Sequence, residues 1–477
     1  MVELLSAFHC NSSYDATMNS IKLTVVMLSL AISLTAFSAK PAHSGQIYIS
    51  VGEARVKKSV LAFPDTKYIS AGVDAGDSRG VARSVRDGVL KNLEFMNLFN
   101  MQNPDAFIEK AGAGMTLDTF RISDWSTIGT EFLVKTGITI TGENVAYELR
   151  LYDVLGAKQI LGKRYVAKTN EPKILAGTVA NDIVESLTGK PGIFFTKIAM
   201  VCDKNTSGRN ATKEIWVAGF DGSNPTQVTH DKRLSFAPAW SPDNQKIAYS
   251  RYTKNAKNVQ NIDLYEYDFG TRSARLLSNR KGINSGAAYS PNGRQVALTM
   301  SFLGNPEIFL LDPASREVTR LTKSFGVDVD PAWSPNGQKL AFVSSRSNQP
   351  MIYVGDVDKL KTNPSVGTRM TFAGKYNATP SWSPDGKKIV FASQEQNFNL
   401  FMMNSDGTNL ERLTKDEGHN EDPHFSPDGN FIVFSSNRSG QKNVYIISAD
   451  GTTTRRITHG LGNCMAPKWS FAADKPF

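Results

Sequence analysis

The stretch Ala332-Trp333-Ser334-Pro335-Asn336-Gly337-Gln338-Lys339-Leu340-Ala341-Phe342-Val343 decides the architecture of the second half of the chain. An aromatic strand runs into Ser-Pro-Asn-Gly, where Pro presets φ and Gly accepts positive φ, and a β-rich strand returns. The pattern recurs as AWSPDNQKIAYS from Ala239, AYSPNGRQVALT from Ala288, SWSPDGKKIVFA from Ser381 and HFSPDGNFIVFS from His424, with a truncated KWSF at Lys468. The aromatics Trp240, Tyr289, Trp333, Trp382, Phe425 and Trp469 are spaced by 49, 44, 49, 43 and 44 residues. A third strand such as 308–311 follows each hairpin, and most copies add a turn and a fourth such as Arg320-Leu321-Thr322. Four short antiparallel strands per ~40–50 residues predict β-propeller blades.

Six aromatic strands with only five complete copies imply a ring closed by both ends of the domain. Residues 197–201, 214–217 and 227–229 supply the missing second, third and fourth strands, and the strand around Trp469 supplies the innermost. Such a ring leaves no long free edge, whereas an open β-solenoid would need no split complement. The closure sets Cys464 and Cys202 almost opposite each other on adjoining strands. A disulfide there would lock first strand to last; two buried thiols are the alternative.

Residues 45–190 read as a separate α/β domain. A strand at 56–63 ends at Pro64, and the four-residue spacing of Val81, Val85, Val89 and Leu93 predicts a helix over 78–95. Strand-like runs follow at 131–138, 144–154 and 158–166, then a second helix over 172–187 stopped by Gly189 and Pro191. The short junction at 188–192 predicts domains packed together. The fold class expected is therefore an α/β N-terminal domain plus an all-β six-bladed propeller over 191–477.

The N-terminus reads as an export signal over residues 1–44. Lys22 precedes the apolar stretch 23–37, Met18 is a second candidate start, and small residues allow cleavage after Ser38 or Ser44. An uncleaved anchor is the alternative. A signal peptide places the protein in an oxidising compartment such as a bacterial periplasm.

Composition narrows function. The 477 residues are 40% apolar and 21% charged, which is globular rather than disordered, and three cysteines exclude a disulfide-rich scaffold. Residues 45–190 carry 18 Lys+Arg against 17 Asp+Glu, while 191–477 carry 34 against 26. Many of those cations recur at one hairpin position (Lys246, Arg294, Lys339, Lys387, Lys388), which solvates turns rather than tracking phosphates, so no nucleic-acid partner is expected. Gly76-Asp77-Ser78-Arg79-Gly80 fits a nucleophile elbow, but no His occurs between Gly45 and Gly192. A helix cap at Asp77 or Ser78 explains the string, and no catalytic residue is assigned. No metal site or cofactor is expected, with one exception considered. Asp328, Asp330, Glu421 and Asp422, just before aromatic strands, should face one mouth of the channel, where oxygen ligands could hold a cation.

An exported α/β domain ahead of a six-bladed propeller of W-S-P-D-G copies resembles the TolB family of the periplasmic Tol–Pal envelope system, over essentially the whole chain beyond the signal. Leu187-Thr188-Gly189-Lys190-Pro191-Gly192-Ile193-Phe194, Leu151-Tyr152-Asp153-Val154, and Trp125 with Gly129 are similar to landmarks of that family. Two positions depart: Ala176-Gly177-Thr178 stands where the family commonly has a His, and Asn244 replaces the usual Gly of the first repeat. The resemblance implies a binding role: the peptidoglycan-associated lipoprotein Pal at the propeller mouth, TolA at the N-terminal segment, and a contribution to outer-membrane integrity and constriction at division. Carried onto this chain, the TolA-facing segment is Gln46-Ile47-Tyr48-Ile49-Ser50-Val51-Gly52-Glu53-Ala54. The Pal-facing loops are Phe236 and Ala237, Asn284-Ser285-Gly286-Ala287, Asp328-Val329-Asp330, Ala378 and Thr379, and Asn420-Glu421-Asp422. Other outer-membrane lipoproteins are further candidate partners. A propeller-capped hydrolase or peptidase and a ligand or cation sensor remain as competing classes.

Overall fold

In the computed structural model the repeated Ser-Pro segments are tight turns, with positive φ at Asn244, Gly293, Gly337, Gly386 and Gly429. The structure describes residues 58–69, 77, 80–110, 113–204, 212–254, 259–415, 417–473 and 475–476. The export segment 1–44 and the segment from Gln46 to Ala54 lie outside the described residues.

Six four-stranded antiparallel sheets form the propeller. Blades 1 to 6 begin with the inner strands Ser235–Trp240, Asn284–Tyr289, Asp328–Trp333, Tyr376–Trp382, Asn420–Phe425 and Cys464–Trp469. The sixth blade is completed by Lys197–Cys202, Glu214–Gly219 and Thr226–Gln227, so the ring closes by strand pairing between the two ends of the domain. Each aromatic stitches neighbours together. The indole N–H groups of Trp240, Trp333 and Trp382 donate to the carbonyls of Lys468, Ala288 and Ala332 on the preceding blade at 3.1, 3.1 and 3.2 Å. Within blades 2, 4 and 5, Thr322, Thr414 and Thr458, each two residues past the fourth strand, accept from the N–H of Ile308, Leu400 and Val444, which satisfies a buried donor in the first half of the third strand.

The N-terminal domain is one sheet covered on both faces. Strands β1 (Ser59–Ala62), β2 (Lys67–Tyr68), β3 (Phe99–Met101), β4 (Phe132–Thr141), β5 (Asn144–Asp153) and β6 (Lys158–Lys168) lie in the order β3-β1-β4-β5-β6, with β2 continuing along β4. β1 runs parallel to β3 and β4, and β4 to β6 are antiparallel. Helices α1 (Val81–Met96) and α3 (Pro172–Thr188) bury Val85, Val89, Leu93, Val179 and Ile183 against one face; Phe120 and Trp125, the latter on the short helix α2 (Ile122–Thr127), cover the other. The Asp77 carboxylate accepts from the N–H groups of Val81 and Ala82 at the start of α1, so this part of the elbow-like string caps a helix.

The departure at Ala176-Gly177 has a packing reason. A Cβ on Gly88 would lie 2.8 Å from Cβ of Ala176, and one on Gly177 would lie 2.8 Å from the Phe195 ring. Small residues let α1, α3 and the junction approach closely. The end of α1 then docks on blades 5 and 6: Phe95 meets Phe220 and Phe431 at ring-centroid distances of 4.8 and 5.5 Å, and Lys91 pairs with Asp221 at 3.3 Å. Phe431 follows a Ser-Pro turn and Phe220 follows a third strand, so the domain docks on the turn face at blades 5 and 6, on the side away from the loops that enter the inner strands.

Candidate functional site

Every inner strand bulges near the mouth, with the register slipping, for example, between Phe236 and Ala239 and between Glu421 and His424. At the bulges, Ala237, Gly286, Asp330, Thr379, Asp422 and Ala466 all take positive φ, between 49° and 63°. Five of these are not glycine, and such backbone costs of order 1–3 kcal/mol each. Bulges re-aim side chains, and here all six line a cavity of about 530 Å³ on the propeller axis. One layer deeper the wall is Ala239, Ala288, Ala332 and Ser381 on four blades, then His424 and Lys468 on the last two.

The electrostatics of this channel are uneven. Burial raises the Asp330 carboxyl above its ordinary range, with Lys468 opposing and Asp422 reinforcing the shift. Burial holds the Lys468 ammonium below its usual value, against the pull of Asp422 and Asp330. The Asp422 carboxylate accepts from Ser435 Oγ at 2.9 Å and the Ala466 N–H at 3.2 Å. Burial, reinforced by Lys468, pushes His424 down to about 3, so the ring is neutral at pH 7.

This gives a stability consequence of definite sign. The unfolded ring takes up its proton near pH 6.5 and the folded ring does not, so stability is full above that value and is lost as pH falls toward 3. By pH 5 the loss is expected to be about 1–2 kcal/mol, discounted for solvent in the channel. Chemical denaturation at pH 7.5 and pH 5 should show this difference shrinking in His424→Gln; an unchanged difference would refute the assignment.

The structure redistributes the predicted mouth residues. Asn284, Asp328 and Asn420 are fully buried, at the first position of inner strands rather than in loops. Asn284 donates to the carbonyls of Ile262 and Arg280, Asp328 pairs with Arg346 at 2.9 Å, and Asn420 accepts from Arg438 at 2.7 Å. They clip blades and offer no surface, which corrects their reading as contact loops. Ala287 and Ala378 are also buried. Ser285 accepts from Ser250 Oγ, and Val329 is half-buried against a blade core. Glu421 faces Lys442, so with Asp328 turned into its blade the four acids considered for a cation do not converge. Among the described residues no group of three or more His, Cys, Asp or Glu is arranged to hold a metal ion. Phe236 remains at the mouth, against Tyr252 at 5.5 Å.

The mouth's main apolar surface comes from residues the repeat does not mark. Phe325 is 80% exposed, Phe372 76% and Leu303 58%, joined by Tyr376, Tyr252, Val259 and Leu234. All belong to loops or strand ends of blades 1 to 4 on the face opposite the docked domain. On blade 5 the same face carries the ion pairs Arg438–Glu417 and Lys442–Glu421. The sequence does contain a cue: Phe325 and Phe372 each follow the Thr just past the fourth strand, inside otherwise polar loops (Thr322-Lys323-Ser324-Phe325-Gly326 and Thr371-Phe372-Ala373-Gly374), where no core requires an aromatic. Large apolar side chains exposed on one face of a rigid scaffold are candidates for an interaction surface.

The architecture is that of an α/β domain docked on a six-bladed propeller, with exposed apolar side chains on the loops of the other face. Residues 184–471 match the TolB beta propeller domain and residues 49–160 the TolB amino-terminal domain. The chain belongs to the TolB family. A "Protein TolB homolog" of Chlorobium luteolum is 32% identical over 95% of this chain and 99% of its own length. A "Tol-Pal system protein TolB" of Desulfosudis oleivorans is 35% identical over 48% of this chain, which spans half the length of that relative. The crystal structure of TolB from Acinetobacter baumannii matches with a TM-score of 0.73 over 90% of this chain and all of that one, at 24% identity, a likeness of fold. Among the described residues no helix is long and apolar enough to cross a membrane.

Proposed function

We propose that this chain is a non-enzymatic periplasmic scaffold of the Tol–Pal system. The propeller mouth binds the lipoprotein Pal and the segment from Gln46 to Ala54 engages TolA, in support of outer-membrane integrity and constriction at cell division. One observation carries the reading: the exposed side chains of Phe325, Phe372 and Leu303 lie in loops on the propeller face opposite the one the N-terminal domain docks on. The names of the relatives support the system, and strand addition to a partner's sheet edge is a recurring way for a terminal segment to bind.

The test is titration calorimetry of residues 45–477 against a soluble Pal domain from the same organism. One-to-one binding is expected, and Phe325→Ala with Phe372→Ala should weaken it at least ~30-fold, the ~2 kcal/mol of a hot-spot aromatic. The absence of binding by folded wild-type protein would sink the role; full affinity in the double variant would move the site elsewhere.

A further inference from the structure

Opposite charges withdrawn from bulk water normally pair directly, because an unpaired one is costly. The propeller axis departs from this. Lys468 and Asp330 both line the 530 Å³ cavity, yet neither side chain has an ion-pair partner within 4.0 Å or a hydrogen bond among the described residues. Asp422 is already occupied by Ser435 and the Ala466 N–H. Thr379 Oγ1 on the same wall is buried without a partner. One free cation, one free carboxylate and one free hydroxyl therefore converge on a single cavity.

The opposite wall is apolar and short. Ala237, Gly286, Ala239 and Ala288 leave the volume open there, and the Trp240 and Tyr289 rings border it. A lone cation would meet the Lys468 ammonium, and a lone anion would meet Asp330 and Asp422. A molecule carrying both charges meets complements at each end. The volume lies within the ~300–1,000 Å³ usual for small-molecule sites.

We propose that the channel binds a small zwitterion with an apolar side chain, an amino acid or dipeptide. Its carboxylate sits on Lys468, its ammonium on Asp330 beside the Thr379 hydroxyl, and its side chain lies on the Ala239 and Ala288 wall. The proposal goes beyond partner recognition, and it is tested on the purified protein with no partner present, so the two readings fail separately.

Calorimetry and thermal shift with L-leucine and L-leucyl-L-leucine are the direct test. Saturable binding of at least one is expected. The corresponding amide and N-acetyl compounds, each lacking one charge, should bind ~10-fold or more weaker, since each leaves a desolvated protein charge unpaired. Asp330→Asn and Lys468→Met should each lose a similar factor while keeping wild-type far-UV circular dichroism. No binding of either zwitterion at millimolar concentration would overturn the proposal. So would equal binding of the singly charged compounds, or a response to Ca²⁺ alone. Should either variant misfold, the comparison of compounds on wild-type protein still decides.

Discussion

Replacing Cys202 and Cys464 together by Ala is expected to lower stability by about 4–5 kcal/mol and the midpoint of thermal unfolding by roughly 5–8 °C. The two cysteines are joined by a disulfide across 262 residues of sequence, with Cα atoms 4.3 Å apart. In the chain-entropy picture, tying a loop this long removes more freedom from the unfolded chain than a short loop does. The location adds to this. Blades 1 to 5 are each made of consecutive strands, but blade 6 joins the two ends of the propeller through Cys464↔Cys202, Met465↔Val201, Lys468↔Ala199 and Trp469↔Ile198. Fraying should begin at that seam. Cys464 also occupies the first inner-strand position filled by Asn284, Asp328 and Asn420 in other blades, so the disulfide replaces a polar clip. Denaturant unfolding without reductant checks the value, and free-thiol titration checks the bond. A loss below ~1 kcal/mol would show that pairing alone holds the seam.

The propeller was legible because its physics is local and repeated. Pro and Gly set each hairpin within four residues, and an aromatic at fixed spacing reports one inner strand per blade. Blade 6 was legible for the same reason: strands 197–201 and 214–217 had no inner partner in sequence, and Trp469 had no outer ones. The N-terminal helices and β4 to β6 followed from apolar spacing, while β2 and β3 are too short to leave a pattern. The mouth was less legible. Position before the aromatic gave the right ring but not the side-chain directions, because a bulge between Val329 and Ala332 reverses the alternation that a regular strand would impose. Asp328 therefore turns into the blade while Asp330 turns to the axis. His424 and Lys468 look like ordinary strand residues until the ring brings six such positions together. Phe325 and Phe372 sit outside the repeat, so a search by repeat passes over them.

The Asp328 position separates stability from recognition, and its variant should behave opposite to the aromatic pair at the mouth. Asp328→Ala is expected to cost about 3 kcal/mol of stability, at the lower end for breaking a buried ion pair. Its partner Arg346 cannot escape to water easily. The guanidinium lies 5.5 and 5.0 Å from the Phe342 and Tyr353 ring centres and donates to Ser344 Oγ at 2.8 Å and the Ser365 carbonyl at 3.1 Å. Removing the carboxylate leaves that charge held in place and half-satisfied. Two features keep the cost from being larger. Asp328 Oδ1 has no hydrogen-bond partner, so only one oxygen is lost. Glu307, already raised by burial and by the charge of Asp328, gains relief when that charge goes. Asp328→Asn should cost less, because the amide oxygen still accepts from Arg346. Denaturant unfolding of both variants measures the difference. Since Asp328 is fully buried, partner affinity at low temperature should change by no more than the unfolded fraction implies. A stable Asp328→Ala protein that has lost partner binding would return this residue to the interface and overturn its reading as a blade clip.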